Sequence, residues 1–134
     1  MTSLGVTTPG SGVSKPVTTP SINQAIFPDS GSTFCYLPPA LFAGLLSFFP
    51  TAVNQGSSQY TLPCSLRDQN GTIDFGFGGT TIQVSYHEFF WFDGVQCWLA
   101  AVPSTEFFLL GDSFMRSAYS KYPCSDGCAK TDCE

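Results

Sequence analysis

Two neighbouring segments in the second half of the chain alternate hydrophobic and polar residues, which is the pattern of a strand with one buried face. The hydrophobic positions are Ile73, Phe75 and Phe77 in the first segment and Ile82, Val84 and Tyr86 in the second. Gly78-Gly79 lies between the segments and suits the tight turn of a hairpin. The pattern therefore predicts a β-hairpin that buries one face.

Three further hydrophobic runs predict strands. Residues 25–27 predict a buried strand that runs into Pro28 and then into a polar turn beginning at Asp29. Residues 97–102 predict one continuous strand, and residues 107–110 predict another that ends at Gly111. Short strands separated by turn residues are typical of a β-rich domain.

One segment predicts a helix, and one segment is ambiguous. Residues 38–49 predict a helix with proline in its first turn, where a missing N–H does no harm, and Pro50 ends it. Residues 2–20 are dominated by Thr, Ser, Gly and Pro, and predict either a linker or a set of short edge strands and turns. The fold class predicted is all-β, mainly strands with short helices.

Composition bounds the classes of function that remain. The 134 residues suffice for one domain, and 43% hydrophobic content fills a single core. Only five Lys and Arg face ten Asp and Glu, for a net charge of −5, which argues against a nucleic-acid partner. No apolar run approaches the roughly 20 residues of a membrane helix. We therefore expect neither nucleic-acid binding nor a membrane span.

The cysteines and the amino terminus lead to conflicting expectations about the compartment of the protein. Six cysteines in a small acidic domain favour an oxidising compartment. Residues 1–5 have neither a basic nor an apolar region, so no signal peptide is visible in this chain. The two observations agree only if the start of the protein lies upstream.

The most specific motif is Asp29-Ser30-Gly31-Ser32-Thr33, which follows a hydrophobic run. Alone it is weak, because Asp-Ser-Gly occurs in many turns. Two more segments strengthen it: Tyr36-Leu37-Pro38 leads into the predicted helix, and residues 108–116 hold an apolar-apolar-Gly element followed by Gly-Asp-x-Phe. Over residues 22–119 this order of motifs resembles the carboxy-terminal lobe of the pepsin-like aspartic endopeptidases, and is nearest to the fungal members.

The resemblance implies a fold and a site. It implies that Leu109-Leu110-Gly111 crosses the strand before Asp29 and supports its carboxylate, and that Cys64 and Cys97 form the single disulfide usual in this lobe. Residues 1–21 would be leading strands or linker, and residues 120–134 a divergent tail containing cysteines. For the parent enzyme it implies a secreted, cell-surface or vacuolar location.

The resemblance also assigns roles to the residues of the loop. Asp29 would be one of two carboxylates that share a proton and activate a water against a peptide bond. Ser30 would join the grip beneath the pair, Gly31 would present its backbone to the substrate, and Ser32 would hydrogen-bond the outer oxygen of Asp29. No cofactor and no metal are implied, and a peptide or protein is the substrate.

The second catalytic aspartate belongs to an amino-terminal lobe, and nothing upstream of Ile22 encodes it. We therefore expect no proteolysis by this chain alone, and a non-catalytic lobe that binds a peptide or a partner lobe stays open as an alternative. Pro28 stands where the family usually places a residue with a paired N–H. Cys35 stands where a hydroxyl residue is common, and we expect it to be a small buried residue.

Other motifs leave alternatives open. Cys124, Cys128 and Cys133 suggest a stray or disulfide-linked tail more than a metal site with Cys35 or His87, because their spacing lacks a C-x-x-C element. His87-Glu88 lacks the second histidine of a zinc protease helix and suits a surface position. Asn70-Gly71-Thr72 is an N-glycosylation sequon, although Asn-Gly before a strand equally suits a turn.

Overall fold

The protein is described by a computed structural model that covers residues 1–17 and 22–121. Within these residues twelve strands form three four-stranded sheets, accompanied by three short helices. The strands are β1 (Ser3–Thr7), β2 (Ser14–Pro16), β3 (Phe27–Pro28), β4 (Cys35–Leu37), β5 (Val53–Asn54), β6 (Tyr60–Leu62), β7 (Thr72–Phe77), β8 (Thr80–Ser85), β9 (Phe90–Phe92), β10 (Cys97–Leu99), β11 (Ala101–Pro103) and β12 (Leu109–Leu110). The helices are α1 (Pro39–Leu46), α2 (Tyr86–Phe89) and α3 (Asp112–Lys121), and a 3-10 turn covers Cys64–Asp68. The predicted fold class, mainly β with short helices, is confirmed.

The first sheet has the order β2-β1-β7-β8, and all its neighbouring strands are antiparallel. The predicted hairpin is present as β7 and β8, which pair from Thr72–Ser85 to Phe77–Thr80. The prediction of a single buried face holds for β8 and was wrong for β7, because Asp74 on the opposite face of β7 is only 3% exposed. Tyr86 is also not a strand residue, since it begins α2.

The ambiguous amino-terminal segment contributes a central strand. β1 lies between β2 and β7, and its Leu4 and Val6 are 3% and 0% exposed. The expectation of edge strands was therefore wrong for β1 and holds for β2. The reason is that β1 covers the free edge of β7, which buries the apolar side chains of both strands.

The second sheet has the order β5-β6-β10-β9 and carries the predicted disulfide. Cys64 is bonded to Cys97, which joins the 3-10 turn to β10. The predicted strand over residues 97–102 is divided at Ala100: β10 pairs with β6 and β9, whereas β11 pairs with β4 in another sheet. The single-strand prediction was wrong because the chain changes sheets at this residue.

The helices close the core from outside. α1 has proline in its first turn, as predicted, but it begins at Pro39, one residue after the predicted start. It ends at Leu46, because Phe48 and Phe49 already donate to the carbonyls three residues earlier. α3 packs on β8 and α2. Aromatic side chains fill the centre, with Phe49 edge-on to Phe90 and Phe75 edge-on to Phe114. In the described part of the chain no helix has the length and apolar character needed to cross a membrane.

Candidate active site

The third sheet positions the Asp29 loop. Its order is β11-β4-β12-β3, so β12 is inserted between the two strands that the loop connects. β12 runs parallel to β3, with Leu109 opposite Phe27 and Leu110 opposite Pro28. It runs antiparallel to β4, where Leu109 faces Tyr36. The loop therefore passes over the end of β12, at Gly111.

Backbone hydrogen bonds fasten the loop to this insertion. The N–H of Asp29 donates to the carbonyl of Leu110 over 2.8 Å. Further along the loop, the N–H of Asp112 donates to the carbonyl of Ser32 over 2.6 Å. Both anchors are on the segment that contains Leu109-Leu110-Gly111, so the structure brings that segment directly against the loop.

Gly111 is the point of closest approach. A Cβ added here would overlap the carbonyl oxygen of Phe34 and would lie 2.7 Å from that of Ser32. Backbone atoms cannot yield as the end of a flexible side chain does, and only glycine lets the two segments touch. Leu110 is 2% exposed and Leu109 is half-buried, so the apolar pair forms the floor beneath the loop.

The carboxyl group of Asp29 faces outward. Asp29 is exposed, and its Oδ1 accepts the N–H of Gly31 over 2.9 Å. Within the described chain this is the one hydrogen bond of the carboxyl group, and the hydroxyl of Ser30 makes none. A carboxyl group that is oriented by a backbone amide and open to water can accept a proton from a bound ligand when ionised and can donate one when protonated.

The role expected of Ser32 is contradicted. Its hydroxyl donates to the carbonyl of Phe34 over 2.9 Å, not to Asp29. The only link between the two residues runs through the backbone, where the N–H of Ser32 donates to the carbonyl of Asp29 over 3.3 Å. The side chain of Ser32 thus closes the turn locally, because the nearer carbonyl competes for its single proton.

The strand that leads into the loop is exposed, contrary to the prediction of a buried strand. Phe27 is 72% exposed, and regular pairing is confined to Phe27–Pro28. The strand predicted over residues 107–110, which pairs with β3, is also shorter than predicted, since only Leu109–Leu110 form a regular strand. β3 lies at the edge of its sheet, and no other described strand covers its outer side.

Pro28 fits this edge position without cost to the sheet. The donors toward β12 are the N–H groups of Phe27 and Asp29, which bond to Phe108 and Leu110. Because successive N–H groups of a strand point to opposite sides, a donor at Pro28 would point away from β12. The concern that Pro28 interrupts a paired position is therefore removed.

Two buried residues bond to the loop or to Gly111 beside it, and one of them, Ser113, was not predicted from the sequence. Ser113 is fully buried, and its hydroxyl donates to the carbonyl of Thr33 over 3.0 Å. Cys35 is free and fully buried, as expected, and its Sγ accepts the N–H of Gly111 at 3.4 Å. Burial raises the pKa of the Cys35 thiol to about 12, against the opposing effects of Gly111 and Ser113. The signal for Ser113 was its place directly after Gly-Asp, in the segment already known to approach the loop.

The other candidate residues lie apart from the loop. His87 is exposed in α2, and its carbonyl accepts from Arg67. A cavity of about 330 Å³ lies beside the disulfide, between Val53 and Val95, and Asp29 does not line it. Among residues 1–17 and 22–121 no three metal-binding side chains come together. Cys124, Cys128 and Cys133 fall outside the described residues.

Comparison with known proteins agrees with this architecture. A profile of the family "Eukaryotic aspartyl protease" matches residues 2–127. The chain is similar to "Aspartic proteinase 3" of Saccharomyces cerevisiae, with 31% identity over 89% of the chain and 21% of that protein. It is also similar to "Secreted aspartic protease 8" of Candida albicans, with 34% identity over 78% of the chain and 25% of that protein.

A third relative agrees with the same family, and one solved structure has a similar fold. The chain is 31% identical to "Probable aspartic-type endopeptidase opsB" of Aspergillus fumigatus over 76% of its length and 23% of that protein. The crystal structure of an aspartic proteinase from Irpex lacteus matches with a TM-score of 0.58 and 17% identity, covering 85% of this chain and 36% of that one. The chain thus spans about a fifth to a quarter of the length of these curated relatives.

Proposed function

Since the chain belongs to the eukaryotic aspartyl protease family, we propose that it forms the carboxy-terminal lobe of an aspartic endopeptidase in which Asp29 is one of two catalytic carboxylates. Residues 22–119 constitute the lobe in this proposal. Residues 1–21 lead into it and supply β1, and residues 120–134 form a divergent tail. The substrate is a peptide or protein, and no cofactor is needed.

The observation that carries the proposal is the insertion of β12 between β3 and β4. It supports the Asp29 loop from below through Leu110 and Gly111, while the carboxyl group faces solvent. A catalytic group needs this combination, since its direction must be set by rigid elements while its reactive atoms stay accessible.

The proposed chemistry is the activation of water by two carboxylates that share one proton. Two like charges about 3 Å apart do not both ionise readily, so one group acts as base toward the water and the other donates to the carbonyl oxygen. The pair titrates as a unit. Asp29 supplies one group, and an amino-terminal lobe with its own Asp-Thr/Ser-Gly supplies the other.

The remaining loop residues take supporting roles. Gly31 orients Oδ1 of Asp29 through its N–H and offers its carbonyl side to the substrate. Leu109, Leu110 and Gly111 form the support under the loop. Ser30, whose hydroxyl is free within the described chain, is available to bond to the partner lobe.

A chimeric enzyme tests the proposal. This chain replaces the carboxy-terminal lobe of Secreted aspartic protease 8, and peptide cleavage is measured at acidic pH. We expect the chimera to cleave and its Asp29→Asn variant to lose about 10²- to 10⁴-fold in kcat, the usual contribution of a positioned acid or base. Asp68→Asn is the control, because this exposed carboxylate makes no hydrogen bond within the described residues.

The same preparations separate catalysis from binding alone. A result in which the chimera and its Asp29→Asn variant are both secreted and bind a transition-state analogue, but neither cleaves peptide, would establish a non-catalytic lobe. The isolated chain is expected to be inactive, because a lone carboxylate lacks the partner with which it shares a proton. Cleavage by the purified single chain at acidic pH would contradict this.

We also propose that the protein passes through the secretory pathway. The disulfide between Cys64 and Cys97 requires an oxidising compartment to persist. The printed name of one relative, "Secreted aspartic protease 8", agrees with such a compartment. Secretion, attachment to the cell surface and delivery to a vacuole all begin with this route.

A further inference from the structure

Asn70-Gly71-Thr72 is the only Asn-x-Ser/Thr triplet in the chain. Asn70 and Gly71 follow the 3-10 turn Cys64–Asp68, and Thr72 is the first residue of β7. The sequence alone leaves two interpretations of it, a glycosylation sequon or an Asn-Gly turn. The two interpretations make different demands on the backbone and on the asparagine side chain, and the structure distinguishes them.

The turn interpretation fails on two counts. The common Asn-Gly hairpin turn needs a positive φ at both residues, and neither Asn70 nor Gly71 has one. A turn asparagine also bonds to the backbone nearby, whereas the side chain of Asn70 makes no hydrogen bond within the described chain. Asn54 shows the contrast, since its Oδ1 accepts the N–H of Gly56, a glycine with φ of 108°.

Gly71 has a separate explanation in packing. It is buried, and an added Cβ would overlap the ring of Tyr86. Its carbonyl also accepts the N–H of Tyr86 over 3.0 Å. The glycine is thus required by its ring neighbour rather than by turn chemistry, which leaves Asn70 with no structural task that explains it.

The surroundings of Asn70 suit a modified side chain. Asn70 is exposed, and its amide has no hydrogen bond to lose within the described residues. Six positions earlier, Cys64 carries the disulfide, a bond that forms in the compartment where sequons are glycosylated. Exposure of the asparagine and passage through an oxidising compartment are independent conditions, and N-glycosylation needs both.

We propose that Asn70 carries an N-linked glycan, and this inference rests on the secretory route of the proposed function but not on catalysis by Asp29. Nδ2 of Asn70 attacks the anomeric carbon of an oligosaccharide linked to a lipid pyrophosphate. The new C–N bond replaces the C–O bond to pyrophosphate, the lipid pyrophosphate leaves, and the nitrogen loses a proton.

The hydroxyl of Thr72 indicates whether the glycan is added before or after folding. In the folded chain the hydroxyl of Thr72 donates to Oδ1 of Asp74 over 2.5 Å, so it is no longer available to a glycosylating enzyme. The transfer therefore precedes the formation of β7. After folding, the glycan is carried by the segment that leads into β7 of the first sheet, whereas the Asp29 loop belongs to the third sheet.

Cell-free translation with microsomes tests the proposal. The full chain is translated behind a cleavable secretory leader, and the protease-protected product is treated with an endoglycosidase. We expect one endoglycosidase-sensitive shift, which is lost in Asn70→Gln and retained in Thr72→Ser. Asn54→Gln is the matched control and keeps the shift, because Asn54-Gln55-Gly56 is not a sequon.

A built-in positive control makes a negative result informative. Ala25→Thr creates a second sequon at Asn23, and both positions are exposed. If this variant shows a shift while the unchanged chain shows none, the translocation and transfer machinery work and the proposal is overturned. The Asp29→Asn chain is expected to be glycosylated like the unchanged chain, so failure of the catalytic proposal and failure of this one are distinguishable.

Discussion

Asp29 and Asp74 are both aspartates of the described chain, and their surroundings are opposite. Asp74 is 3% exposed and its carboxylate accepts three hydroxyl hydrogen bonds. Asp29 is exposed, and its carboxyl group accepts one backbone N–H, that of Gly31. The aspartate held most firmly is therefore not the one proposed for catalysis.

The three donors to Asp74 come from three neighbouring strands. Thr7 of β1 and Ser14 of β2 donate to Oδ2 over 2.6 and 2.5 Å, and Thr72 of β7 donates to Oδ1 over 2.5 Å. Burial raises the pKa of nearby Tyr86, and the negative charge of Asp74 adds to that rise. Asp74 thus ties the first sheet together, with every available oxygen committed to structure.

The contrast teaches how one residue type takes two roles. A carboxylate surrounded by donors from its own protein contributes stability and has no oxygen left for a substrate. A carboxylate fixed through its backbone, as Asp29 is by Leu110, keeps its oxygens for chemistry. Loss of the hydroxyl donors around Asp74 should therefore affect stability, whereas loss of the carboxyl group of Asp29 should leave stability almost unchanged.

Replacing Asp74 has the largest expected effect on stability. Asp74→Ala removes three hydrogen bonds at a position that is 3% exposed, and at about 1 kcal/mol each we expect the free energy of unfolding to fall by about 3 kcal/mol. Urea unfolding of the purified chain measures it. Asp68→Ala, at an exposed site, is expected to change stability by less than about 0.5 kcal/mol. Equal effects of the two substitutions would refute the structural role of Asp74.

Gly111→Ala is expected to disturb the support of Asp29. The new methyl group overlaps backbone oxygens of the loop, and overpacking of this kind costs about 2 kcal/mol. The matched control is Gly79→Ala, because Gly79 has nothing within 4 Å of an added Cβ. If Gly111→Ala were as stable as Gly79→Ala, the loop would not be in contact with β12 as the structure has it.

Asp93 is an intermediate case between Asp29 and Asp74, because its carboxylate is exposed yet accepts three hydrogen bonds. The N–H of Gln96, the indole N–H of Trp98 and the N–H of Val95 all donate to its carboxylate and lower its pKa. A lowered folded-state pKa gives stability that is present above the unfolded-state pKa, about 3.9, and is lost as the pH falls through the folded value.

We therefore expect Asp93→Asn to destabilise the chain mildly at neutral pH and to lose this effect in strong acid. Unfolding midpoints measured across the acidic range check the trend, with Asp68→Asn as the reference variant. A difference between Asp93→Asn and the unchanged chain that stayed constant with pH would show that these bonds do not favour the charged form.

Asp29→Asn is expected to have the smallest effect on stability, less than about 0.5 kcal/mol, because the carboxyl group is exposed and an amide oxygen still accepts the N–H of Gly31. Thermal unfolding of the single chain measures it. Together with a large loss of activity in the chimera, this result would separate Asp29 fully from Asp74. A strongly destabilised Asp29→Asn chain would instead assign Asp29 a structural role.

Much of the fold and part of the site could be predicted from local patterns. Alternation of Ile73 and Phe75 with polar residues predicted the hairpin, and proline near residue 38 predicted the start of α1. The order of motifs pointed to Asp29, to the Leu109-Leu110-Gly111 segment and to the Cys64–Cys97 disulfide, which the structure contains. These features depend on residues close together in sequence, or on a family pattern read in sequence order.

Local patterns could not predict which segments, distant in the chain, pack on each strand. Asp74 has the polar alternation of a solvent-facing residue, and it is buried because hydroxyls arrive from β1 and β2, about 60 residues earlier in the chain. Phe27 has the apolar character of a core residue, and it is exposed because β3 lies at a sheet edge. Periodicity reports how side chains are distributed around a strand, not what packs on each side.

Local patterns along the chain were enough to indicate the family and the fold class and to single out Asp29, because turn residues, hydrophobic period and motif order are all local properties. Three features became visible only in three dimensions: the hydroxyl of Ser32 bonds to Phe34 rather than to Asp29, Pro28 lies on a free sheet edge, and Asn70 makes no turn hydrogen bond within the described residues. The position of Pro28 follows from the pairing of β3 with the distant strand β12. The bond of Ser32 is local, but which acceptor a hydroxyl meets depends on the final shape of the loop, and backbone hydrogen bonds to the distant residues Leu110 and Asp112 hold that shape.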